Sequence, residues 1–209
     1  TGEILDRARE RSTRLSRAAE FRDPETGAHI MRMANYSRLI AEQLGLPGEE
    51  QELILRAAPM HDVGKIAIPD QILLKPGRLD EEELVIMKTH AEKGYEILRG
   101  SRSRLLDLAA LIAWTHHEKV DGSGYPRGLR GEEIPLQGRI VAVADVYDAL
   151  TSERPYKKAW DIERTEGWLR DCAGQHFDPA CVEAFLARRA DILEIRASFQ
   201  DEVLSNAHL

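Results

Sequence analysis

Asp145 lies within Ile140-Val141-Ala142-Val143-Ala144-Asp145-Val146, a stretch apolar on every side that a folded chain must bury. An unpaired carboxylate there costs several kcal/mol or more. The fold therefore has to bring Asp145 either a cation or a buried base. Candidate companions are spread along the chain: His29, His61, His90, His116 and His117, five of the seven histidines, fall at helix positions or helix ends, with Glu25 and Asp62 among them. Five separate core histidines and three carboxylates would demand many separate partners. A shared metal site meets all of those demands at once.

The spacing refines this reading. Glu25 and His29 are four apart, so they share a face if their helix begins early enough. His61-Asp62 and His116-His117 are adjacent pairs, and neighbours on a helix diverge by about 100°, which suits a cluster of ions better than a single ion. Every donor is nitrogen or oxygen, which favours Fe or Mn over a structural Zn site and leaves catalytic Zn open. A bridging carboxylate, assigned to Asp62, would hold two ions close together. Such a pair can acidify a shared water, supply hydroxide and clamp a phosphodiester for in-line attack. Lys65 follows within one turn and is expected to orient that nucleophile or to stabilise charge on the phosphate.

Apolar residues recur at three-to-four spacing almost throughout, with no alternating strand, fixed-period repeat or low-complexity tract, and this predicts an all-α fold. Ile4, Leu5, Ala8, Leu15, Ala18 and Ala19 outline a first amphipathic helix ending near Asp23-Pro24. It reads as a connector, with a dimerising coiled coil or a first core helix as alternatives. Further helices are expected over 26–44, stopping at Gly45, over 49–62, over 81–98 with Asp80 as N-cap, over 104–118 and over 138–151. Asp121-Gly122-Ser123-Gly124-Tyr125-Pro126 opens a long loop, and loops of that length usually serve a function. Two or three amphipathic helices follow Arg154-Pro155-Tyr156-Lys157, one opening at Asp178-Pro179. The division is a connector over 1–22 and one globular domain over 23–209.

Charge and composition exclude several classes. The 209 residues carry 29 Lys and Arg against 36 Asp and Glu, a formal charge of −7, so no basic field draws the chain to DNA. A phosphate-bearing ligand must be held locally, by a few cations or a metal. Two cysteines, Cys172 and Cys181, read as small buried side chains and fit a reducing, cytoplasmic compartment. The longest apolar run, 108–114, is far short of the roughly 20 residues that cross a bilayer, so no membrane segment is expected. Thr1 is not an initiator Met, and no signal-peptide pattern follows it.

His61-Asp62-Val63-Gly64-Lys65 resembles the signature of the HD phosphohydrolase superfamily, and Gly124-Tyr125-Pro126 resembles the second signature of its HD-GYP family. The resemblance continues through Arg22-Asp23-Pro24-Glu25-Thr26-Gly27-Ala28-His29, Ile72-Leu73-Leu74-Lys75-Pro76-Gly77, His116-His117-Glu118, Val143-Ala144-Asp145 and Thr151-Ser152-Glu153-Arg154-Pro155-Tyr156-Lys157, over about residues 20 to 190. Two positions depart from the pattern. Ala67 stands where Gly is common, and Lys119-Val120 where an aromatic residue often precedes Asp121-Gly122, which bears on ligand stacking or loop packing.

The resemblance implies an HD-type helical bundle that hydrolyses the bacterial second messenger cyclic di-GMP to linear pGpG or to GMP. Its metal ligands carry over to Glu25, His29, His61, Asp62, His90, His116, His117 and Asp145, with two or three divalent ions, Fe or Mn. Lys65 and Asp62 are the implied catalytic residues. Arg154 and Lys157 match residues that grip the ligand's phosphates, while Tyr125 either contacts guanine or braces a loop that other proteins touch. Implied partners are a second copy through the N-terminal helix, a diguanylate cyclase (GGDEF) domain and an upstream sensor or receiver domain. Two alternatives stand beside this: a cyclic di-GMP-binding signalling module with little turnover, and a phosphodiesterase for another cyclic dinucleotide, 3'3'-cGAMP. His176, in a family-like stretch, reads as structural.

Overall fold

A computed structural model describes residues 27–153 and 158–200. The expected N-terminal connector helix lies outside the described residues. Helix α1 (Gly27–Gln43) buries Ile30, Met33, Ala34, Ser37, Ile40 and Ala41 at helical spacing. It closes as the spacing predicts: Leu46 N–H donates to the Ala41 carbonyl at 3.0 Å and Gly45 N–H to Glu42 at 2.9 Å.

The next two expected helices are each interrupted, and both interruptions serve the site. Helix α2 (Gly48–Ala57) ends where Pro59 can no longer donate to the preceding turn, and 3-10 turns over Ala58–Met60 and Val63–Ala67 continue the chain. His61 and Asp62 therefore stand between two tight turns instead of on a continuous helix. After the short α3 (Asp70–Leu73) comes α4 (Glu81–Lys88), capped by a reciprocal Asp80–Glu83 box. The chain breaks at Thr89 before α5 (His90–Leu98). The break leaves carbonyls that are taken up at once: Thr89 Oγ1 donates to Ile86 at 2.6 Å and His90 Nδ1 to Met87 at 2.7 Å.

Helices α6 (Arg104–Thr115) and α7 (Leu136–Thr151) match the expected pair within a few residues. Three more follow: α8 (Ile162–Asp171), α9 (Pro179–Leu186), capped by Asp178, and α10 (Arg189–Ser198). Among the described residues there is no strand, only the isolated bridges Asp121–Arg130 and Ala173–Phe177.

Helix α1 packs against α2, α7, α9 and α10, and α6 joins α5 to α7, so α1, α6 and α7 meet around the core. Its centre is an edge-to-face aromatic trio: Tyr36 to Tyr147 at 5.5 Å, Tyr36 to Phe185 at 5.6 Å and Tyr147 to Phe185 at 4.8 Å. Val63–Ala67 lies so close on α5 that a Cβ at Gly64 would stand 1.9 Å from the His90 carbonyl oxygen. Only glycine fits there, and the contact holds the His61-Asp62 turn against the helix that carries His90.

Phe185 is fully buried, so Phe185→Ala is expected to cost about 3–5 kcal/mol. In a chain of this size that lowers Tm by about 2–4 °C per kcal/mol, measured by thermal unfolding. A shift under one degree would contradict the packing described.

Candidate metal centre

Seven of the eight expected metal ligands converge, and Glu25, the eighth, lies outside the described residues. The donors form two groups, each with its ligand atoms within 4.8 Å of one another: His29, His61 and Asp145, and Asp62, His90, His116 and His117. Helix α1 supplies His29, the first pair of 3-10 turns His61 and Asp62, the start of α5 His90, the end of α6 His116 and His117, and α7 Asp145. The His61-Asp62 pair divides between the groups, as adjacent side chains should. His116 and His117 do not divide. They lie just past the last residue of α6, where the helix no longer splays its side chains, and their rings are 4.0 Å apart.

Asp62 stands between the groups. Its Oδ2 is 3.2 Å from His61 Nε2 and 2.7 Å from Lys65 Nζ, and its Oδ1 is 3.1 Å from His90 Nε2 and 3.5 Å from His116 Nε2. Asp145 Oδ1 is 3.6 Å from His29 Nε2 and 3.9 Å from His61 Nε2. Opposed ring nitrogens and carboxylate oxygens at these separations have room for cations between them.

The ring orientations fix which nitrogen faces the cluster. His61 Nδ1 donates to the Ala58 carbonyl at 3.0 Å, His90 Nδ1 to Met87 at 2.7 Å, and His116 Nδ1 to Ile112 and Ala113, both at 3.1 Å. A carbonyl only accepts, so each Nδ1 carries the proton and each Nε2 presents a lone pair inward, which is the ligating form of imidazole. His29 Nδ1 donates to the Asp148 carboxylate at 2.7 Å. His90 Nε2, His116 Nε2 and Asp62 Oδ1 are buried with no hydrogen-bond partner, and such atoms are rare in a folded protein unless an ion or water completes them. The residues therefore fit a group of divalent cations.

The electrostatics agree. Burial, and then the neighbouring imidazoles His116 and His90, hold His117 well below the usual histidine value, while burial likewise holds His116 down against its hydrogen bond with Asp62. Burial works to raise the Asp62 carboxyl, but the Lys65 ammonium and His61 more than reverse it, so Asp62 is ionised far below neutral pH.

The long loop closes one side of the centre. Tyr125 stacks on His117 with ring centroids 4.7 Å apart, and Lys88 Nζ lies 5.3 Å from the centroid of the Tyr125 ring. Glu118, buried, accepts the N–H groups of Arg127 at 2.7 Å and Leu129 at 3.0 Å and so anchors the loop from within. At Gly124 a Cβ would lie 2.3 Å from the Lys119 nitrogen, so the loop can pass Glu118 only with glycine at that position.

Some expectations need correction, and some fall outside view. Asp145 is not enclosed on every side: its side chain keeps 15 % exposure, opening on the donor cluster, and the carboxylate of α7 that is wholly buried is Asp148, three residues on. Burial raises the Asp148 carboxyl, yet hydrogen bonds from His29 and Arg32 outweigh burial and hold it low. Sequence reasoning passed over Asp148 and Arg32, although each lies three residues from a proposed ligand, Asp145 and His29, and so shares a helix face with it. His176 is structural as expected, stacked on Phe177 at 4.0 Å, with burial pushing it down to about 4. Cys181 is buried and Cys172 partly so, and both are free. Arg154 and Lys157 lie outside the described residues. No described helix is long and apolar enough to cross a membrane.

Fold and site together define a class: an all-helical domain organised around a cluster of histidine and carboxylate donors able to hold metal ions. The chain belongs to the HD domain family, whose match spans residues 8–181. It is 54% identical over 197 residues to the cyclic di-GMP phosphodiesterase response regulator RpfG of Xanthomonas campestris, covering 94% of this chain and 52% of that protein. It is 47% identical over 199 residues to the 3'3'-cGAMP-specific phosphodiesterase 2 of Vibrio cholerae, covering 95% of this chain and 38% of that protein. The chain thus spans about half or less of the length of these relatives. Its fold matches the crystal structure of a cyclic GMP-AMP-specific phosphodiesterase from V. cholerae with a TM-score of 0.65 at 22% identity, covering 91% of this chain and 51% of that one.

Acid should destabilise the metal-free protein in a defined window. When unfolded, His116 and His117 take up protons near pH 6.5, whereas in the fold they resist, so below that pH the unfolded state binds more protons and stability falls. The contribution of Asp62 is fully present above pH 3.8 and is lost only below it. Urea midpoints measured on chelator-treated protein should therefore fall between pH 7 and pH 5. Midpoints that stayed level or rose over that interval would contradict the neutral, buried state assigned to these rings.

Proposed function

We propose that the chain is an HD-GYP phosphodiesterase domain that hydrolyses cyclic di-GMP. The observation that carries this reading is the Asp62 carboxylate set between two groups of inward-facing donors, with Lys65 on its outer oxygen. That is the arrangement expected of a carboxylate bridging two ions for phosphodiester chemistry. The names of the relatives in Xanthomonas and Vibrio support the substrate class, a cyclic dinucleotide.

In this reading His29, His61 and Asp145 would hold one ion and His90, His116 and His117 a second, with Asp62 available to both. Glu25 is the ligand available to a third. Fe or Mn suits the all-nitrogen-and-oxygen donor set. Bound ions would supply an acidified water and positive charge against the phosphodiester. Lys65, drawn to Asp62, holds a proton and a positive charge at the edge of the cluster, where it can orient the nucleophile and stabilise the phosphorane-like charge. Arg154 and Lys157 are the cations assigned to the ligand's phosphates, since a guanidinium can pair with a phosphate bidentately and an ammonium adds a point charge. Tyr125, its hydroxyl pushed further above the ordinary tyrosine value by burial, offers a ring face and a donor to a guanine while its ring covers part of His117. Cytoplasmic location, a second copy through the N-terminal helix, a cyclase (GGDEF) domain and an upstream sensor or receiver domain belong to this proposal as its signalling context.

The identity with a relative named for 3'3'-cGAMP favours a second reading in which the mixed ring is the preferred substrate. Side-by-side rates on the two dinucleotides separate the two.

The test is hydrolysis by protein loaded with Mn or Fe without oxygen, with products resolved chromatographically. Asp62→Ala should reduce turnover to background. Lys65→Met should lower kcat about 10²–10³-fold. Arg154→Ala should act mainly on KM, losing about 1.5–3 kcal/mol of binding. Metal-loaded wild-type protein that leaves both dinucleotides whole, or an Asp62→Ala variant with full activity, would end this assignment.

A further inference from the structure

Behind the His29 side of the centre lies a polar relay that joins the cluster to α10, the last described helix. Asp148 is fully buried and Arg32 nearly so. Arg32 Nε donates to Asp148 Oδ1 at 2.6 Å and Arg32 Nη2 to Asp148 Oδ2 at 2.9 Å, while His29 Nδ1 donates to the same Oδ2 at 2.7 Å. Ser152 completes the set, donating to Oδ2 at 3.1 Å and accepting from Arg32 Nη2 at 2.8 Å. The third arm of the guanidinium leaves the relay: Arg32 Nη1 donates to the Phe199 carbonyl at 2.8 Å, just beyond α10. Helix α10 is tied down by Ile192, its buried residue, and by Arg196 donating to the Thr151 carbonyl at the end of α7.

This is more than packing. Each oxygen of Asp148 faces donors only, so the carboxylate fixes His29 with its proton on Nδ1 and its lone pair on Nε2, toward Asp145. The orientation of Asp148 is in turn set by the two-point grip of Arg32, whose fork is completed by a carbonyl that stays in place only while α10 is docked.

We propose that Asp148 and Arg32 are positioning residues that keep His29 in its ligating form, and that docking of α10 thereby sets the metal affinity of the His29, His61 and Asp145 group, with the group of His90, His116 and His117, which the relay does not touch, affected less. The inference rests on the metal reading given above. It makes α10 a regulatory handle on one half of the centre: anything that lifts α10 would release the ion held by His29 first.

The test measures binding and tautomer rather than turnover. Full-chain protein is stripped of metal, titrated with Mn by calorimetry, and examined by nitrogen NMR of its imidazoles, with circular dichroism confirming the fold of each variant. An amide at position 148 cannot face donors from both oxygens' places, so Asp148→Asn should move the His29 proton to Nε2 and weaken one class of site roughly 10- to 100-fold, with the other changed much less. Ile192→Ala, which loosens α10 without touching the relay, should weaken the same class. Arg32→Lys, which keeps the charge and loses the fork, gives a second route to the same result should Asp148→Asn fail to fold. Wild-type uptake of Mn with all three variants binding both classes normally, or a His29 tautomer unmoved in Asp148→Asn, overturns the proposal alone. Wild-type protein that takes up no Mn overturns the metal reading with it.

Discussion

Everything in this structure turns on the Asp62 carboxylate, which faces three imidazoles and one ammonium at the meeting point of three chain segments. A carboxylate in such surroundings is stable only with positive charge close by, and Lys65 supplies part of it on one oxygen. The other oxygen has the buried ring nitrogens of His90 and His116 opposite it, a set of donors that a cation would complete. The aromatic trio of Tyr36, Tyr147 and Phe185 and the helices packed around α1 and α7 hold the segments that carry these donors together.

The interruptions of the helices follow from that requirement. A continuous helix over 49–62 would send His61 and Asp62 in directions about 100° apart, with the next residues still bound into its hydrogen-bond ladder. Pro59 ends the ladder early, and the glycine at position 64 lets the resulting turn settle directly on the backbone of α5. The break at Thr89 does the same for His90, and the carbonyls it frees become the acceptors that fix the ring. Backbone groups released by irregularity are thus reused to orient ligands, which is why the irregular turns, and not the regular helices, carry most of the donors.

The donors themselves were legible in the sequence because their chemistry is costly to bury singly, and Asp145 within its apolar stretch made that cost explicit. The all-α class, the stop at Gly45 and the caps at Asp80 and Asp178 were legible for a related reason, since each is a local rule of spacing or hydrogen bonding. What stayed hidden was whatever depends on contacts between distant segments. Asp148 meets His29 across 119 positions and Arg32 reaches Phe199 across 167, and no window of sequence holds either pair. The enclosure of Asp145 was misjudged on the same ground, because a stretch that is apolar along the chain can still face a polar cluster built by its neighbours.

The balance of donor types also explains how a chain of net charge −7 can present itself to an anion. Among the described ligands only Asp62 and Asp145 carry negative charge, and the remaining five are imidazoles held neutral or facing inward as lone pairs. Two divalent ions in such a set would keep a surplus of positive charge, to which Lys65 adds at short range. Had the same positions been filled with carboxylates, the ions would bind as well or better, but their charge would be spent on the protein and little would remain to attract a phosphodiester. The preponderance of histidine is therefore the feature that would leave a chain of net negative charge with an electropositive centre once cations were held there.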